Sequence, residues 1–384
     1  MKVPAADLQA QFAAIEGEIR EAIDRVLESQ HFILGPEVAA LEQALCERLG
    51  CRHALGVSSG TDALLLALMA LEIGPGDEVI TTPYTFFATA GVVHRLGARP
   101  VFVDIDPASF NLDPGGVEAA LTERTRALLP VHLFGRCAEL APLLALAEGH
   151  GVPLVEDAAQ SIGAVYRGRA AGTLGRIGCF SFFPAKNLGA YGDAGMVVTD
   201  DDGLAERMRV LRTHGAQPKY HHHVVGGNFR MDALQGAVLR AKLGHLDRWT
   251  EARRAHARGY QARFEAAGLV GPDRPIRALP SLDALEDQVF NQYVIRTRDR
   301  DALREHLAGA GVASAVYYPI PLHRQACFKE LGIAPGSLPH AERAARETLA
   351  LPIHPELSAA QMDHVVDQVR AFFADREEGS GGHR

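Results

Sequence analysis

From Gly50 to about Thr199 the chain alternates short apolar runs with amphipathic stretches, and this alternation limits its fold more than any other feature. Strands are expected at Glu78–Thr81, Pro100–Asp104, Ala127–Val131, Pro153–Glu156, Cys179–Phe182 and Met196–Thr199, with helices near 61–71, 84–97, 114–122 and 138–150. Strand–helix alternation on this scale implies an open α/β sheet, mostly parallel and flanked by helices. Upstream, 36–50 reads as a helix. Pro36 suits its first turn, Val38, Leu41, Leu45 and Leu49 share a face, and Gly50 stops it.

A chain of 384 residues is too long for one small core and fits a large domain plus a smaller one. The character changes near Leu234. Leu234–Ala267 reads as a long, charged helical region holding the only tryptophan, Trp249, and Pro272, Pro275 and Pro280 mark a loop. A smaller α/β unit follows, with strands expected at Gln292–Arg296 and Ala313–Tyr317. The expected division is a large domain over 1–245, whose first residues can pack on the small one, a small C-terminal α/β domain over 246–376, and a tail over 377–384 without fixed structure.

Net charge is −8 and no basic tract stands out, which argues against a nucleic-acid groove or an anionic membrane surface. Cys46, Cys51, Cys137, Cys179 and Cys327 are odd in number and scattered, the pattern of reduced thiols in a cytoplasmic protein. The N-terminus lacks the basic-then-apolar order of a signal peptide, and no apolar run reaches membrane-spanning length.

In open α/β sheets ligands bind beyond the carboxyl ends of the strands, and four polar motifs fall there. Ser58-Ser59-Gly60-Thr61 opens a helix, Thr82 to Phe86 follows one strand, Glu156-Asp157 ends another, and Ser181 to Lys186 leave a fourth. Lys186 projects from a loop between Pro184 and the glycines 189, 192 and 195. A half-buried lysine there can lose its proton and form an imine with an aldehyde, although most lysines are simply exposed. Asp157 can pair with a protonated ring nitrogen or cap the segment that follows it. The amides of Gly60 and Thr61 can bind a phosphate, while Ser59 or Thr61 caps the helix, and Ser181 can add a hydroxyl. Phe86 stacks on a flat ring or packs in the core. Neither a dinucleotide fingerprint nor a P-loop occurs.

The order and spacing of these pieces resemble the DegT/DnrJ/StrS-type sugar aminotransferases. The resemblance runs from Leu8 to about Phe373. It is carried by Phe32 to Val38, Ser59 to Leu64, Gly76 to Ile80, Glu156 to Gln160, Ser181 to Lys186, Gly227 to Gln235, Tyr318 to His323 and Leu351 to Pro355. It implies the aspartate-aminotransferase (type I) fold and pyridoxal 5'-phosphate (PLP) as cofactor. Lys186 becomes the Schiff-base lysine, Asp157 meets the ring nitrogen, Gln160 lies near the ring hydroxyl and Phe86 stacks on the ring. Gly60, Thr61 and Ser181 hold the phosphate, and Asn228 reaches the cofactor of a second subunit, so active sites are shared in a homodimer. Ala194 stands where relatives commonly have glycine, which alters the loop but removes no catalytic group.

The implied reaction moves an amino group from glutamate to a UDP- or dTDP-linked keto sugar. Lys219-Tyr220-His221-His222-His223 resembles members acting at carbon 3, with carbon 4 the alternative. His222, His323 and Tyr317 are the expected substrate contacts. Adjacent histidines on an extended segment alternate sides and rarely converge on one ion, so no metal is expected. A dehydratase or a regulatory homologue remains the competing reading, and the intact lysine favours transamination.

Overall fold

The computed structural model describes residues 1–381. Two helices, α1 (Leu8–Ser29) and α2 (Gly35–Leu49), precede the sheet. Helix α2 buries Val38, Leu41, Leu45 and Leu49 and ends on Gly50 at φ 71°, a left-handed turn that glycine adopts without strain. Strands and helices then alternate: β1 (His53–Val57), α3 (Gly60–Ala70), β2 (Glu78–Thr81), α4 (Ala88–Arg95), β3 (Arg99–Phe102), α5 (Pro114–Ala120), β4 (Thr125–Leu129), α6 (Leu140–Gly149) and β5 (Val155–Asp157). A short hairpin, β6 (Val165–Tyr166) and β7 (Arg169–Ala170), leads to β8 (Ile177–Ser181), β9 (Gly195–Thr199) and α7 (Asp202–Arg212).

Ladders and parallel bridges at Leu128–Leu154 and Val131–Asp157 join seven strands in the order β1-β9-β8-β5-β4-β2-β3. Only β9 runs against its neighbours; the other pairings are parallel. Side chains alternate across the sheet, so each strand feeds two cores. Val79, Ala127, Leu129 and Val155 pack with α3, α4 and α7, whereas Ile80, Leu128 and Leu154 pack under α5 and α6. Both faces are covered, which is why β2 and β9 are buried along their whole length.

Helices α8 (Ala233–Leu243) and α9 (Leu246–Ala266) occupy the long helical region expected over Leu234–Ala267. The break falls at Gly244-His245, where glycine, a poor helix former, ends the first segment and the His245 amide turns back to the Lys242 carbonyl. The last third adds β10 (Tyr293–Arg296), α10 (Arg300–Gly309), α11 (Pro339–Glu347), β11 (Thr348–Leu351) and α12 (Ala359–Gly381). They surround a core of their own that also takes in Val3, bridged to Val312.

Three expectations need correcting. Ala313–Tyr317 is not a strand, because Val312 is bridged to Val3 and Ala315 to Ala350, which divides the segment between two neighbours. The antiparallel partner of β10 is instead β11. Strand β3 stops at Phe102, and Asp104 leaves the sheet to accept from the His340 and Ala341 amides at 2.9 Å each, capping α11. Helix α12 runs to Gly381, past the expected boundary at 376; the rest of the expected unstructured tail, 382–384, lies outside the described residues.

Strand β5 is anchored by Glu156, whose side chain is fully buried. Its carboxylate accepts from His132 Nε2 at 2.8 Å and from the amides of Gly172, Leu174 and Gly175 at 2.7, 2.6 and 2.6 Å. His132 Nδ1 accepts from the Ala138 amide, which places the imidazole proton on Nε2. Burial works to raise the Glu156 pKa, but these donors outweigh it and the carboxyl lies below its ordinary value. Removing the carboxylate orphans four donors. Glu156→Ala is expected to lose about 3–5 kcal/mol of unfolding free energy in urea titrations. The wild-type margin should fade on acidification through the depressed pKa, a dependence that Glu156→Gln lacks.

Candidate active site

The carboxyl ends of the parallel strands open on a cavity of about 530 Å³. Gly60, Thr61, Phe86, Asp157, Gln160, Ser181, Lys186 and Tyr317 all line it, so eight residues chosen from sequence meet in one place.

Asp157 ends β5 and is 4% exposed. Its Oδ2 accepts from the Thr89 hydroxyl at 2.8 Å, and its Oδ1 from the Ala159 amide at 3.2 Å. Local capping and a role in the cavity therefore coexist. Burial pushes the carboxyl up, while Thr89, Ala159 and the nearby Lys186 charge pull it back. Lys186 lies in the loop between β8 and β9. Burial draws its ammonium down to about pKa 8, and Asp157 opposes that shift. About a tenth of an amine so placed is deprotonated at pH 7, far more than for an ordinary lysine, and that is the form a nucleophile needs.

Opposite lies the N-terminus of α3. Ser59 caps it by accepting from the Asp62 amide at 3.0 Å, so the cap is Ser59 and the Thr61 side chain stays free to face the cavity. The Gly60 and Thr61 amides find no acceptor among the described residues. Gly60 has no room for a side chain, since a Cβ there would stand 2.5 Å from Ser181 Cβ. Two free amides, two hydroxyls and a helix N-terminus form a cradle suited to a phosphate.

Gln160 is fixed at both ends. It accepts from the Phe134 amide at 2.7 Å and donates to the Tyr318 hydroxyl at 3.1 Å. Phe86 is 57% exposed, with its ring 6.2 Å from that of Tyr318.

Three candidates lie outside this cavity. Asn228 is exposed and accepts from Arg230 Nε at 2.8 Å. His222 is exposed, with Nδ1 2.9 Å from the His214 carbonyl. His323 is buried against Glu342 at 3.1 Å, and burial lowers its pKa despite that carboxylate. Sequence reasoning missed Thr89, Tyr318, Asn291, Gln292 and Arg253. Thr89 carries no motif, and only the start of α4 brings it to Asp157. Among the described residues no three His, Cys, Asp or Glu side chains gather as a metal site, and no helix is long and apolar enough to cross a membrane.

An amine with a depressed pKa, a buried carboxylate and a phosphate cradle, all at the mouth of a seven-stranded α/β sheet, define a PLP-dependent enzyme of the aspartate-aminotransferase fold. The residues present suit that cofactor group by group. The chain belongs to the DegT/DnrJ/EryC1/StrS aminotransferase family, whose model matches residues 13–370. It is 50% identical over 97% of its length to a Geobacillus stearothermophilus protein called a pleiotropic regulatory protein, of which 99% is covered. It is 46% identical to the UDP-N-acetyl-3-dehydro-alpha-D-glucosamine 3-aminotransferase of Acidithiobacillus ferrooxidans, over 96% of this chain and 97% of that one. The solved structure of Streptomyces venezuelae DesV in complex with a ketimine intermediate superimposes with a TM-score of 0.92 at 45% identity, covering 97% of this chain and 98% of the other.

The depressed lysine gives a direct test. In cofactor-free protein, the reaction of Lys186 with an amine-selective reagent should reach half its limiting rate near pH 8, well below an ordinary lysine. Asp157→Asn removes the charge that holds the proton on, so the midpoint should move lower still. Peptide mapping of the labelled lysine across a pH series would show both.

Proposed function

We propose that this chain transfers an amino group from glutamate to a nucleotide-linked 3-keto sugar, acting in the cytoplasm as a homodimer with shared sites. The observation that carries this reading is the cavity that joins the Lys186 amine, the Asp157 carboxylate and the open amides of α3. The name of the Acidithiobacillus ferrooxidans relative supports a 3-keto sugar on a UDP carrier. The regulatory name of the Geobacillus relative points elsewhere, but regulation alone requires none of these groups.

Bound PLP supplies an aldehyde that takes up an amine and a conjugated ring that accepts the electron pair left when the donor loses its α-proton. Gly60, Thr61 and Ser181 would hold its phosphate, Gln160 its ring hydroxyl, and Phe86 would cover its face. Thr89 occupies Asp157 Oδ2, which leaves Oδ1, with only the longer Ala159 bond, to face a protonated ring nitrogen. Burial leaves the Asp157 pKa raised despite its hydrogen bonds, and a cation brought to Oδ1 would favour the carboxylate that stabilises it. Among the described residues Lys186 is the only lysine lining the cavity. With a pKa of about 8 it can take the donor's α-proton and return one, serving as base and then as acid.

Tyr317 would touch the sugar from the cavity wall, while His222 and His323 would do so only after a rearrangement or across subunits. Phe32, Ile33, Phe183, Val224 and Val225 are apolar and exposed, Val225 at 89%, which supports a second subunit that covers apolar surface. Asn228 lies among them in sequence and would reach the second subunit's phosphate. The five cysteines are all unpaired, which suits a reducing compartment.

Lys186→Ala should lower transamination by about a thousandfold or more, measured with glutamate and a panel of UDP- and dTDP-linked 3- and 4-keto sugars. Full turnover in that variant would sink the proposal. Shared sites predict complementation: Lys186→Ala and Asn228→Ala proteins, each impaired alone, should regain activity when unfolded together and reassembled as mixed dimers.

A further inference from the structure

We infer that Lys242, which lies outside the cavity, is a positioning residue for Lys186, pinning the loop that carries the reactive amine through its hydrogen bond to the Gly189 carbonyl. The inference rests on Lys186 as the cofactor-bearing lysine.

The loop that leaves β8 and returns at β9 is closed on itself. Phe182 donates its amide to Ala194 O, and Ala190 donates to Phe182 O, both at 2.8 Å. The Lys186 amide donates to Phe183 O at 2.8 Å. Gly189 is folded hard against Pro184, so closely that a Cβ there would stand 2.1 Å from the Pro184 carbonyl oxygen. A displacement of Gly189 is therefore passed to Pro184 and on to Lys186.

Lys242 reaches this hinge from α8. It is 1% exposed, its Nζ donates to Gly189 O at 2.8 Å, and it lies 4.4 Å from the centre of the Tyr191 ring. The same helix supplies Gln235, which accepts from the Tyr191 amide at 2.8 Å. One helix thus grips the loop at two successive points beyond the reactive lysine.

The charge of Lys242 is what calls for an explanation. An ammonium has three donors, and here one carbonyl and one aromatic face serve it. No carboxylate lies within ion-pair distance of it among the described residues. Burial draws its pKa down to about 8, against a weaker opposing pull from Glu356. Isolated buried charges are costly, and methionine would fill similar space without that cost. Packing alone therefore does not account for a lysine. What the ammonium adds is a charge-assisted bond, stronger than a neutral one, to the carbonyl three residues past Lys186.

Hydrogen exchange on full-length, cofactor-free protein tests this without relying on activity. Lys242→Met should fold, keep or raise its melting temperature, and exchange the 185–191 amides about tenfold faster or more, with strands β2 and β4 unchanged. With cofactor bound, the pH at which its visible band titrates should move by about half a unit or more. The rate of the glutamate half-reaction should fall about tenfold with little change in KM, because a misplaced amine slows the proton step more than it weakens binding. Lys242→Arg, which keeps a charged donor, should recover part of each effect. If Lys242→Met does not fold, Lys242→Gln is read in the same way. Unchanged exchange and an unchanged titration overturn the assignment whatever the melting temperature. Failure of both variants to fold also overturns it, because Lys242 then serves the fold and not the loop. Lys186→Ala is the control. Persistence of its visible band and turnover would defeat the proposed function, while the exchange measurement on cofactor-free protein would still judge Lys242.

Discussion

Two adjacent carboxylates at the end of β5 set the terms for the rest of the molecule. Glu156 and Asp157 are both buried, and strand geometry sends their side chains to opposite faces of the sheet. Glu156 meets four donors and is saturated. Asp157 meets one hydroxyl and one longer amide, which leaves it under-satisfied. A buried carboxylate in that condition is costly unless a cation comes to it. The saturated partner holds the strand end rigid, and the unsaturated one faces the cavity. One carboxylate is spent on the fold and its neighbour keeps hydrogen-bonding capacity toward the cavity, and the difference lies in their partners.

The same division explains which features could be read from the sequence. Local rules act within a few residues, so Gly50 stopping α2 and Ser59 capping α3 were legible. So was the convergence of Gly60, Asp157, Ser181 and Lys186, because strand ends of a parallel sheet share one edge. What escaped depends on distant partners. Strand β1 is five residues long with a glycine inside it, too weak a pattern to stand out. Strand β11 sits beside a proline-containing motif, and its pairing with β10 spans the whole distal unit. Thr89 is an ordinary helix residue until the fold brings it to Asp157. Asp104 read as the end of a strand because nothing nearby announces that it caps a helix more than two hundred residues away.

Water must stay out of the cavity if the lysine is to remain depressed, because the shift at Lys186 comes from burial. The wall that excludes it comes from the distal third of the chain. Tyr84, fully buried three residues past the end of β2, donates to the Tyr317 carbonyl at 2.6 Å and shares a hydrogen bond with Thr348 at 2.7 Å. Arg253 on α9 donates to the carbonyls of Phe290 and Ile353 at 3.1 and 2.8 Å, and Gln160 is tied to Tyr318. Three of these ties end on main-chain carbonyls of the opposite wall, at Tyr317, Phe290 and Ile353, and two on the side chains of Thr348 and Tyr318. The three main-chain ties fix where that wall stands without specifying what lines it. The cavity can therefore keep Lys186 dry whatever side chains stand in the wall where Tyr317, Asn291 and Gln292 now line it. A family that carries one chemistry to many sugars needs this separation between the groups that hold the wall and those that face the ligand.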